Sequence, residues 1–444
     1  MKRFFETLKN IYKIEELRTR ILYTLGILLV YRLGSHISLP GIDPNKLANL
    51  SKQTSEGILG LLDMFSGGAF SHASIFALGI MPYISASIVV QLMGIAIPYF
   101  QRLQREGESG RKKINQITRY LTVIILFLQG PSYLTNLHAQ LPADAFVITG
   151  TFFTLSSMLI LAAGTIFVMW LGEKITDKGI GNGISLIIMI GIIARLPFAF
   201  GAEFASRIEG GGGLVVLLVE IVILLLVIAS SILLVQGTRR IPVQYAKRIV
   251  GNKQYGGVRQ YIPLKVNAAG VMPIIFAQAL MFIPTIVVGF TDSGSGFAAS
   301  FSRYTSFWYN FVFGLLIIVF TYFYTAIIMN PVQMADDMKK NGGFIPGVKP
   351  GKKTSEFIDS IMSRITLPGS IFLAFIAIMP AFAGLLGVNN QFAQFFGGTS
   401  LLILVGVVLD TLQQIESHLL MRHYDGLMKS GRIKGRSQGA GASM

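Results

Sequence analysis

Ionisable side chains inside apolar stretches are where this sequence could do chemistry, because a charge held in lipid is costly and usually marks an ion or proton path. The candidates are Arg32, Glu220, Asp410 and Glu416. Arg32 and Glu416 lie near the ends of their stretches, where a long side chain reaches water. Glu220 sits less than two turns inside its own. Asp410 alone reads as internal, and its expected role is a structural carboxylate bonded to a neighbouring helix. A proton-coupled carrier would show more such groups. The chain has no cysteine, which excludes disulfides, thiolate metal sites and cysteine nucleophiles. Its histidines, at 36, 72, 138, 418 and 423, form no pair at metal-ligand spacing on an apolar face, so no metal is expected. The stretch Gly347-Val348-Lys349-Pro350-Gly351-Lys352-Lys353-Thr354 lacks the spacing of a phosphate-binding loop and follows no strand. No Ser-His-Asp set or carboxylate pair points to catalysis. The expectation is a protein that is not an enzyme, holds no cofactor and takes its energy from elsewhere.

The elements that would position these residues are written in the composition. Of 444 residues, 52% are hydrophobic and 14% charged, with a mean hydropathy of +0.60. An ordinary soluble domain carries about 25% charged residues. A membrane-spanning helix needs roughly 20 mainly apolar residues. Ten stretches qualify, at about 21–39, 74–97, 117–137, 148–171, 181–200, 214–236, 268–290, 307–330, 367–386 and 397–420. With the N-terminus in the cytoplasm, residues 1–20, the loops 98–116, 172–180, 237–267 and 331–366, and the tail from 421 face inward. Those segments and their immediate flanks carry 32 of the 38 Lys and Arg residues. The charge alternation obeys the positive-inside rule at every crossing. The net charge of +16 therefore first orients the chain and meets anionic lipid. Residues 1–20 place Phe4, Phe5, Leu8, Ile11, Tyr12 and Leu17 at helical spacing among basic residues, the pattern of an amphipathic helix on the membrane surface.

Residues 57–72 fit no span. They are too short, and they carry Asp63 and the Gly67-Gly68 pair. They form either a surface loop helix or a re-entrant element in a cavity, since irregular backbone at membrane depth is tolerated only inside protein or against water. The glycines are expected to leave the segment weakly anchored and free to move. The polar residues inside the spans are mostly neutral: Ser85, Ser87, Gln91, Thr122, Gln129, Asn267 and Gln278. They serve either as glue between helices or as a seam that can open. Ten spans divide into two halves of five, which an odd count sets in opposite orientation, and such inverted halves enclose a cavity between them.

Several long motifs resemble one family. They are Met64-Phe65-Ser66-Gly67-Gly68 continuing through Ser74 to Ile88, Glu106-Gly107-Glu108-Ser109-Gly110-Arg111-Lys112, Lys178 to Ser185, Gln244-Tyr245-Ala246-Lys247-Arg248, Pro263-Leu264-Lys265-Val266-Asn267, and Gly397 to Ile403. In order and spacing the chain is similar, over essentially its full length, to the SecY/Sec61-alpha family of channel-forming subunits of the Sec protein translocase. The resemblance implies an all-α polytopic membrane protein, with ten helices in two inverted halves, 21–200 and 201–420, around an hourglass pore. A cytoplasmic N-terminal helix (1–20) and a tail (421–444) flank them. It implies a channel that passes unfolded secretory polypeptides across the bacterial plasma membrane and releases apolar segments sideways into lipid. Both termini would be cytoplasmic.

By motif, the family's constriction ring falls on Ile80, Ile84, Ile184, Ile188, Ile275 and Ile403. Ile80/Ile84 and Ile184/Ile188 are i,i+4 pairs, so each pair points one way. An apolar constriction also dewets, which hinders ion leakage. The plug falls on 57–72, with Leu61, Leu62, Asp63, Met64, Phe65, Ser66, Gly67 and Gly68 at its heart. Ser85, Ser87, Gln91, Thr122 and Asn267 are the implied lateral-gate polar residues. The loop 237–267 carries seven basic and no acidic residues, a pattern suited to the phosphates of ribosomal RNA. The resemblance assigns Arg239, Arg240, Lys247, Arg248, Lys349 and Tyr424 to docking of the ribosome and the SecA motor ATPase. At Lys349 the family usually has arginine; lysine keeps the charge and loses the planar fork. The implied partners are the SecE and SecG subunits, SecA, the ribosome, the translocating polypeptide with its signal sequence, and anionic lipids. Against this passive channel stand an ion-coupled small-solute transporter and a scaffold that only recruits ribosomes.

Overall fold

The computed structural model describes residues 14–47, 63–148, 150–209, 213–245, 248–250, 253–255, 259–278, 280–281 and 305–429. The chain is mostly helical. In order come α1 (Glu15–Gly34), α2 (Met81–Ala96), α3 (Pro98–Arg105), α4 (Glu108–Gln140), α5 (Thr151–Lys178), α6 (Gly183–Glu209) and α7 (Gly213–Gln236). Strands β1 (Thr238–Tyr245), β2 (Arg248–Val250), β3 (Lys253–Tyr255) and β4 (Arg259–Lys265) follow. Then come α8 (Phe307–Ile328), α9 (Pro331–Lys340), β5 (Gly343–Phe344), α10 (Lys352–Leu385), α11 (Asn390–Ala393) and α12 (Gly398–Lys429). Among the described residues, α5, α6, α7, α10, α12 and the helix running through α8 are long and apolar enough to cross a membrane. The α2–α3 pair, bent by 101°, makes a seventh candidate. The bend has a local cause: Pro98 cannot donate to the preceding turn, so it starts a new helix instead of continuing α2. α1 and α4 lie on the expected first and third spans and have the length to cross. Of the expected span 268–290, residues 268–278 and 280–281 are described, as turns followed by a helical stretch from 272; the rest lies outside the described residues.

Several boundaries differ from expectation. α1 runs unbroken from Glu15 across the expected boundary at residues 20–21, and residues 1–13 lie outside the described residues. The second span is not helical from residue 74. Residues 66–80 form successive hydrogen-bonded turns, and the helix begins only at Met81, with Pro82 in its first turn. Gly79 at φ 53° and Ala73 at φ 42° hold backbone that a right-handed helix cannot contain. These turns are pinned to the exit of α1, where Leu39 N–H donates to the Ala73 carbonyl (2.8 Å) and Ile75 N–H to the Ile37 carbonyl (2.9 Å).

The loops 237–267 and 331–366 are not separate. β1 pairs antiparallel with β4 from Thr238↔Lys265 to Gln244↔Arg259, and its other edge takes β5 through Tyr245↔Gly343. The resulting sheet, in order β4-β1-β5, and the β2-β3 hairpin are the β component of the described residues, which are otherwise helical. Ile241, Val243 and Leu264 are buried on one face against Met338, Ile345, Ile358 and Met362 of the α9–α10 region. Alternation of Ile241 and Val243 with exposed Arg240 and Pro242 is the period-2 pattern of a half-buried strand.

The helices close into a circuit. α2 packs on α4, α4 on α5, α5 on α6, α6 on α7 and α12, α7 and α12 on α10, and α10 on α8. The circuit completes where α8 meets α2. Leu22, Leu29, Phe198, Val215, Leu218 and Leu233 are among the large apolar side chains left exposed around it. In water such a surface would aggregate; around a membrane protein it faces lipid.

Candidate functional site: an apolar constriction and the segment seated against it

Four elements deliver isoleucines to the middle of the circuit. Ile80 caps the start of α2 and Ile84 lies one turn on, its N–H donating to the Ile80 carbonyl (3.0 Å). Ile184 and Ile188 occupy the first two turns of α6, and Ile403 the second turn of α12. Ile80, Ile188 and Ile403 are buried in one apolar cluster, with Ile84 and Ile184 packed at its edge. Ile275, in the helical stretch 272–278, packs in an adjoining cluster with Ile88, Ala269, Phe276 and Tyr324; Ile84 belongs to both. The six therefore line a continuous apolar zone. The six side chains themselves carry no hydrogen-bonding group.

Residues 63–72 sit against this zone. Met64 and Phe65 belong to the same cluster as Ile80, Ile188 and Ile403. Leu61 and Leu62 lie outside the described residues. The segment is anchored more firmly than its glycines suggested. Asp63 is fully buried and forms an ion pair with Arg195 of α6, while its Oδ1 accepts from the Ser71 N–H (2.7 Å). Arg195 also donates to Ser71 Oγ (2.9 Å). From α1, the Tyr31 hydroxyl donates to the Ser66 carbonyl (3.1 Å) and Arg32 to the Gly67 carbonyl (2.8 Å). From α12, Ser400 Oγ donates to Met64 Sδ (3.0 Å). Arg32, half-buried at the cavity, also holds a carbonyl of the seated segment.

Gly67 serves close approach instead of looseness. Gly67, at φ 67°, lies against Gly191 of α6, and a Cβ there would come within 2.7 Å of the Gly191 Cα. Gly164 of α5 performs the same service one layer out, where a Cβ would meet the Ile75 carbonyl oxygen at 2.1 Å. Beside the segment lies a cavity of about 360 Å³, lined among others by Arg32, His36, His72, Arg195, Met64 and Phe395. The His36 and His72 rings are 5.3 Å apart. Burial, then the neighbouring His36 and Arg32 charges, push the His72 pKa below the ordinary histidine value.

The polar residues expected at a lateral seam divide. Gln91 of α2 accepts from the Tyr324 hydroxyl of α8, and its amide donates to Ser87 Oγ (3.2 Å). Thr122 is buried on α4 and donates to the Thr118 carbonyl of its own helix (2.7 Å). Ser85 is half-buried on α2 and Asn267 is buried. Asp410 is exposed and accepts from Gln414 of its own helix (3.3 Å), not from a neighbouring one. Glu220 does meet another helix: with Glu203 it flanks Arg207 in a buried cluster. Of the docking residues, Arg239 and Arg240 are exposed on β1 and Lys349 on the loop before α10. Arg248 begins β2, and Tyr424 lies in the last turns of α12. Lys247 lies outside the described residues.

A profile of the SecY family matches residues 74–412. The protein translocase subunit SecY of Streptomyces scabiei is 45% identical over 433 residues, covering 94% of this chain and 98% of that one. The chain belongs to the SecY family. The SecY subunit of Mycobacterium tuberculosis is 42% identical over 440 residues, covering 93% and 97% of the two chains. Among solved structures, one described as "The structure of a protein conducting channel" superposes with a TM-score of 0.58 at 18% identity, covering 90% of this chain and 91% of that one. Sec61 in a canine ribosome-channel complex superposes at 0.53 and 18%, with the same coverage. At such identities the likeness is one of fold.

Sequence reasoning reached the isoleucines and the seated segment through motifs. It missed Tyr31, Arg195, Ser400 and Tyr324, which do the holding. Arg195 left one signal, a charge in the apolar run 181–200 with Asp63 as an opposite charge in a segment that also had no obvious reason to carry one.

Proposed function

We propose that this chain is the protein-conducting channel of a bacterial Sec translocase. Unfolded polypeptide crosses between the α1–α6 portion and the portion from α7 onward, and apolar segments leave sideways between α2 and α8. The observation that carries this is the convergence of isoleucines from α2, α6 and α12 on the buried segment 63–72. Greasy side chains seal by excluding water, and residues 63–72 stop the path at rest. The absence of a nucleotide-binding loop in the sequence assigns the energy to a partner, the SecA ATPase or a translating ribosome. Arg239, Arg240, Lys247, Arg248, Lys349 and Tyr424 form the docking face, with the β4-β1-β5 sheet as its rigid base. SecE and SecG complete the complex in the plasma membrane, both termini of this chain lie in the cytoplasm, and anionic lipids meet the basic inner loops.

Reconstitution with SecE and SecG in proteoliposomes tests this. Precursor protein should enter in an ATP- and SecA-dependent manner. Solute uptake driven by an ion gradient, with no precursor import, would replace the channel with a carrier. A polar substitution such as Ile188→Asn should raise resting ion conductance; no change would remove the ring assignment.

A further inference from the structure

The cavity beside the seated segment is walled by hydrogen-bond donors. Arg32 and His36 reach it from α1 and its exit, His72 from the end of the segment and Arg195 from α6. Gln391 of α11 and Gln394, which starts the one-turn helix after it, border it from the portion of the chain beyond α7. Among the described residues no carboxylate borders the cavity. Asp63 is fully buried and already taken up by Arg195 and the Ser71 N–H. Arg32 spends one terminal nitrogen on the Gly67 carbonyl, and the other lies 3.3 Å from His36 Nε2. A guanidinium carries five N–H donors, so several stay available. Setting Asp63 against Arg195 leaves the Arg32 charge uncompensated at the wall. Burial, then Arg32, also hold the His36 pKa below the ordinary histidine value.

We infer that this cavity binds an oxyanion of the phosphate class, and that the bound anion locks residues 63–72 in their seat. The donors stand on separate elements and face one space. A tetrahedral oxyanion presents oxygens in every direction and can meet them together. A carboxylate offers two oxygens on one edge, and chloride offers no directional acceptor. The planar forks of Arg32 and Arg195 suit phosphate oxygens in particular. A volume of about 360 Å³ holds such an anion with accompanying waters. Unseating the segment would carry His72 and the Gly67 carbonyl away, and the donor set would come apart. The anion therefore binds the seated form and stabilises it by mass action. Present at ten times its Kd, it raises the seated-to-unseated ratio about eleven-fold. The site stands on the geometry alone; only its effect on conduction rests on the channel reading above. Two sources carry this chemistry, free inorganic phosphate and the headgroup of an anionic phospholipid.

The test uses the full chain with SecE and SecG in phosphatidylcholine nanodiscs at neutral pH. Radiolabelled inorganic phosphate is titrated in, with chloride holding the ionic strength constant. One saturable site per chain is expected. Arg32→Gln should weaken it about ten- to hundred-fold, through loss of charge-assisted hydrogen bonds. Because Arg32 also holds Gly67, the second variant is Gln394→Leu, outside the segment and its tethers. It should weaken binding about five-fold. Arg364→Gln, exposed on α10, removes a charge elsewhere and should leave binding unchanged. No saturable binding, or an equal loss in Arg364→Gln, would overturn the site. Nanodiscs containing phosphatidylglycerol separate the two sources. Competition with free phosphate assigns the site to the lipid headgroup, and undiminished phosphate binding assigns it to the free ion. The lock is read in planar phosphatidylcholine bilayers. Phosphate on the outer side at ten times its measured Kd should cut the frequency of resting openings about eleven-fold, and chloride at equal ionic strength should not. An unchanged frequency with binding intact would overturn the lock. A chain that imports no precursor would overturn the channel reading while leaving the binding result to stand.

Discussion

Asp63→Asn is the sharpest perturbation of the seated segment, because it changes charge and almost nothing else. The side chain is fully buried, one oxygen accepts the Ser71 N–H and the carboxylate pairs with Arg195. Asparagine preserves an acceptor for Ser71 and removes the charge that faces the guanidinium. Removing one partner of a fully buried pair costs about 3–5 kcal/mol. That is an upper bound here, since the Arg195 side chain is 22% exposed, keeps its bond to Ser71 Oγ and borders the 360 Å³ cavity. A neutral hydrogen bond, at about 1 kcal/mol, is the lower bound. The expected loss is about 2 kcal/mol, a shift of about thirty-fold toward the unseated segment. Resting ion conductance in planar bilayers reads this population directly. Asp63→Asn should raise it well above background, Arg195→Gln should act comparably, and the pair together should fall short of the sum because they remove one shared interaction. Unchanged conductance in Asp63→Asn, or strict additivity in the pair, would refute the reasoning that this ion pair holds the segment in place.

Three further outcomes follow from the same geometry. Gly67→Ala combines a positive φ with a Cβ 2.7 Å from the Gly191 Cα, so it should destabilise the seated segment by about 1–3 kcal/mol, read as a lower midpoint in detergent thermal denaturation and a higher resting conductance. The depressed pKa of His72 means the native state prefers its neutral form; the penalty is absent above the ordinary histidine range and grows as pH falls through about 6.5. With His36, Arg32, Arg195 and Asp63 grouped around it, acidifying the outer side should increase resting conductance, and His72→Gln should flatten that dependence. Arg207→Met leaves two buried carboxylates, Glu203 and Glu220, without their cation and should cost about 3–5 kcal/mol, seen as a large drop in thermal midpoint.

Spans with strong apolar runs were legible in the sequence, because length and hydropathy decide a crossing helix without reference to its neighbours. α5, α6, α7, α8 and α12 lie where hydropathy put them, within a turn or two at most ends. The region from Met64 to Ile80 was not legible, since its conformation is set by contacts far away in sequence: Arg32 on Gly67, Arg195 on Asp63 and Ser400 on Met64. A glycine pair read locally signals flexibility; Gly67 read against Gly191 signals close packing. The sheet failed for the same reason. β1 carries a visible alternation, but its partners β4 and β5 lie one loop tip and one α8–α9 unit away, and β5 is two residues long. The isoleucines illustrate the opposite limit. No property of Ile80 or Ile403 in isolation separates a constriction from a lipid-facing surface, so only the motif selected them.

Two of the junctions between the α1–α6 portion and the portion from α7 onward differ in what holds them. Where α6 meets α7, Arg207 donates to Glu203 (2.7 Å), Glu220 and the Gly387 carbonyl (2.8 Å), and Glu203 accepts from the Asn389 N–H (2.7 Å). These charged groups are at least nine-tenths buried, so separating α6 from α7 there would strand ions away from water at several kcal/mol each. Where α2 meets α8, the tie is one neutral hydrogen bond set among aromatic and aliphatic contacts. Lipid or an apolar peptide can replace those contacts, but neither can solvate a stranded guanidinium. The same outward push on both junctions would therefore part α2 from α8 long before α6 leaves α7. The buried charges act as a hinge by making their own side too costly to open, which confines movement to the seam that Tyr324 and Gln91 close.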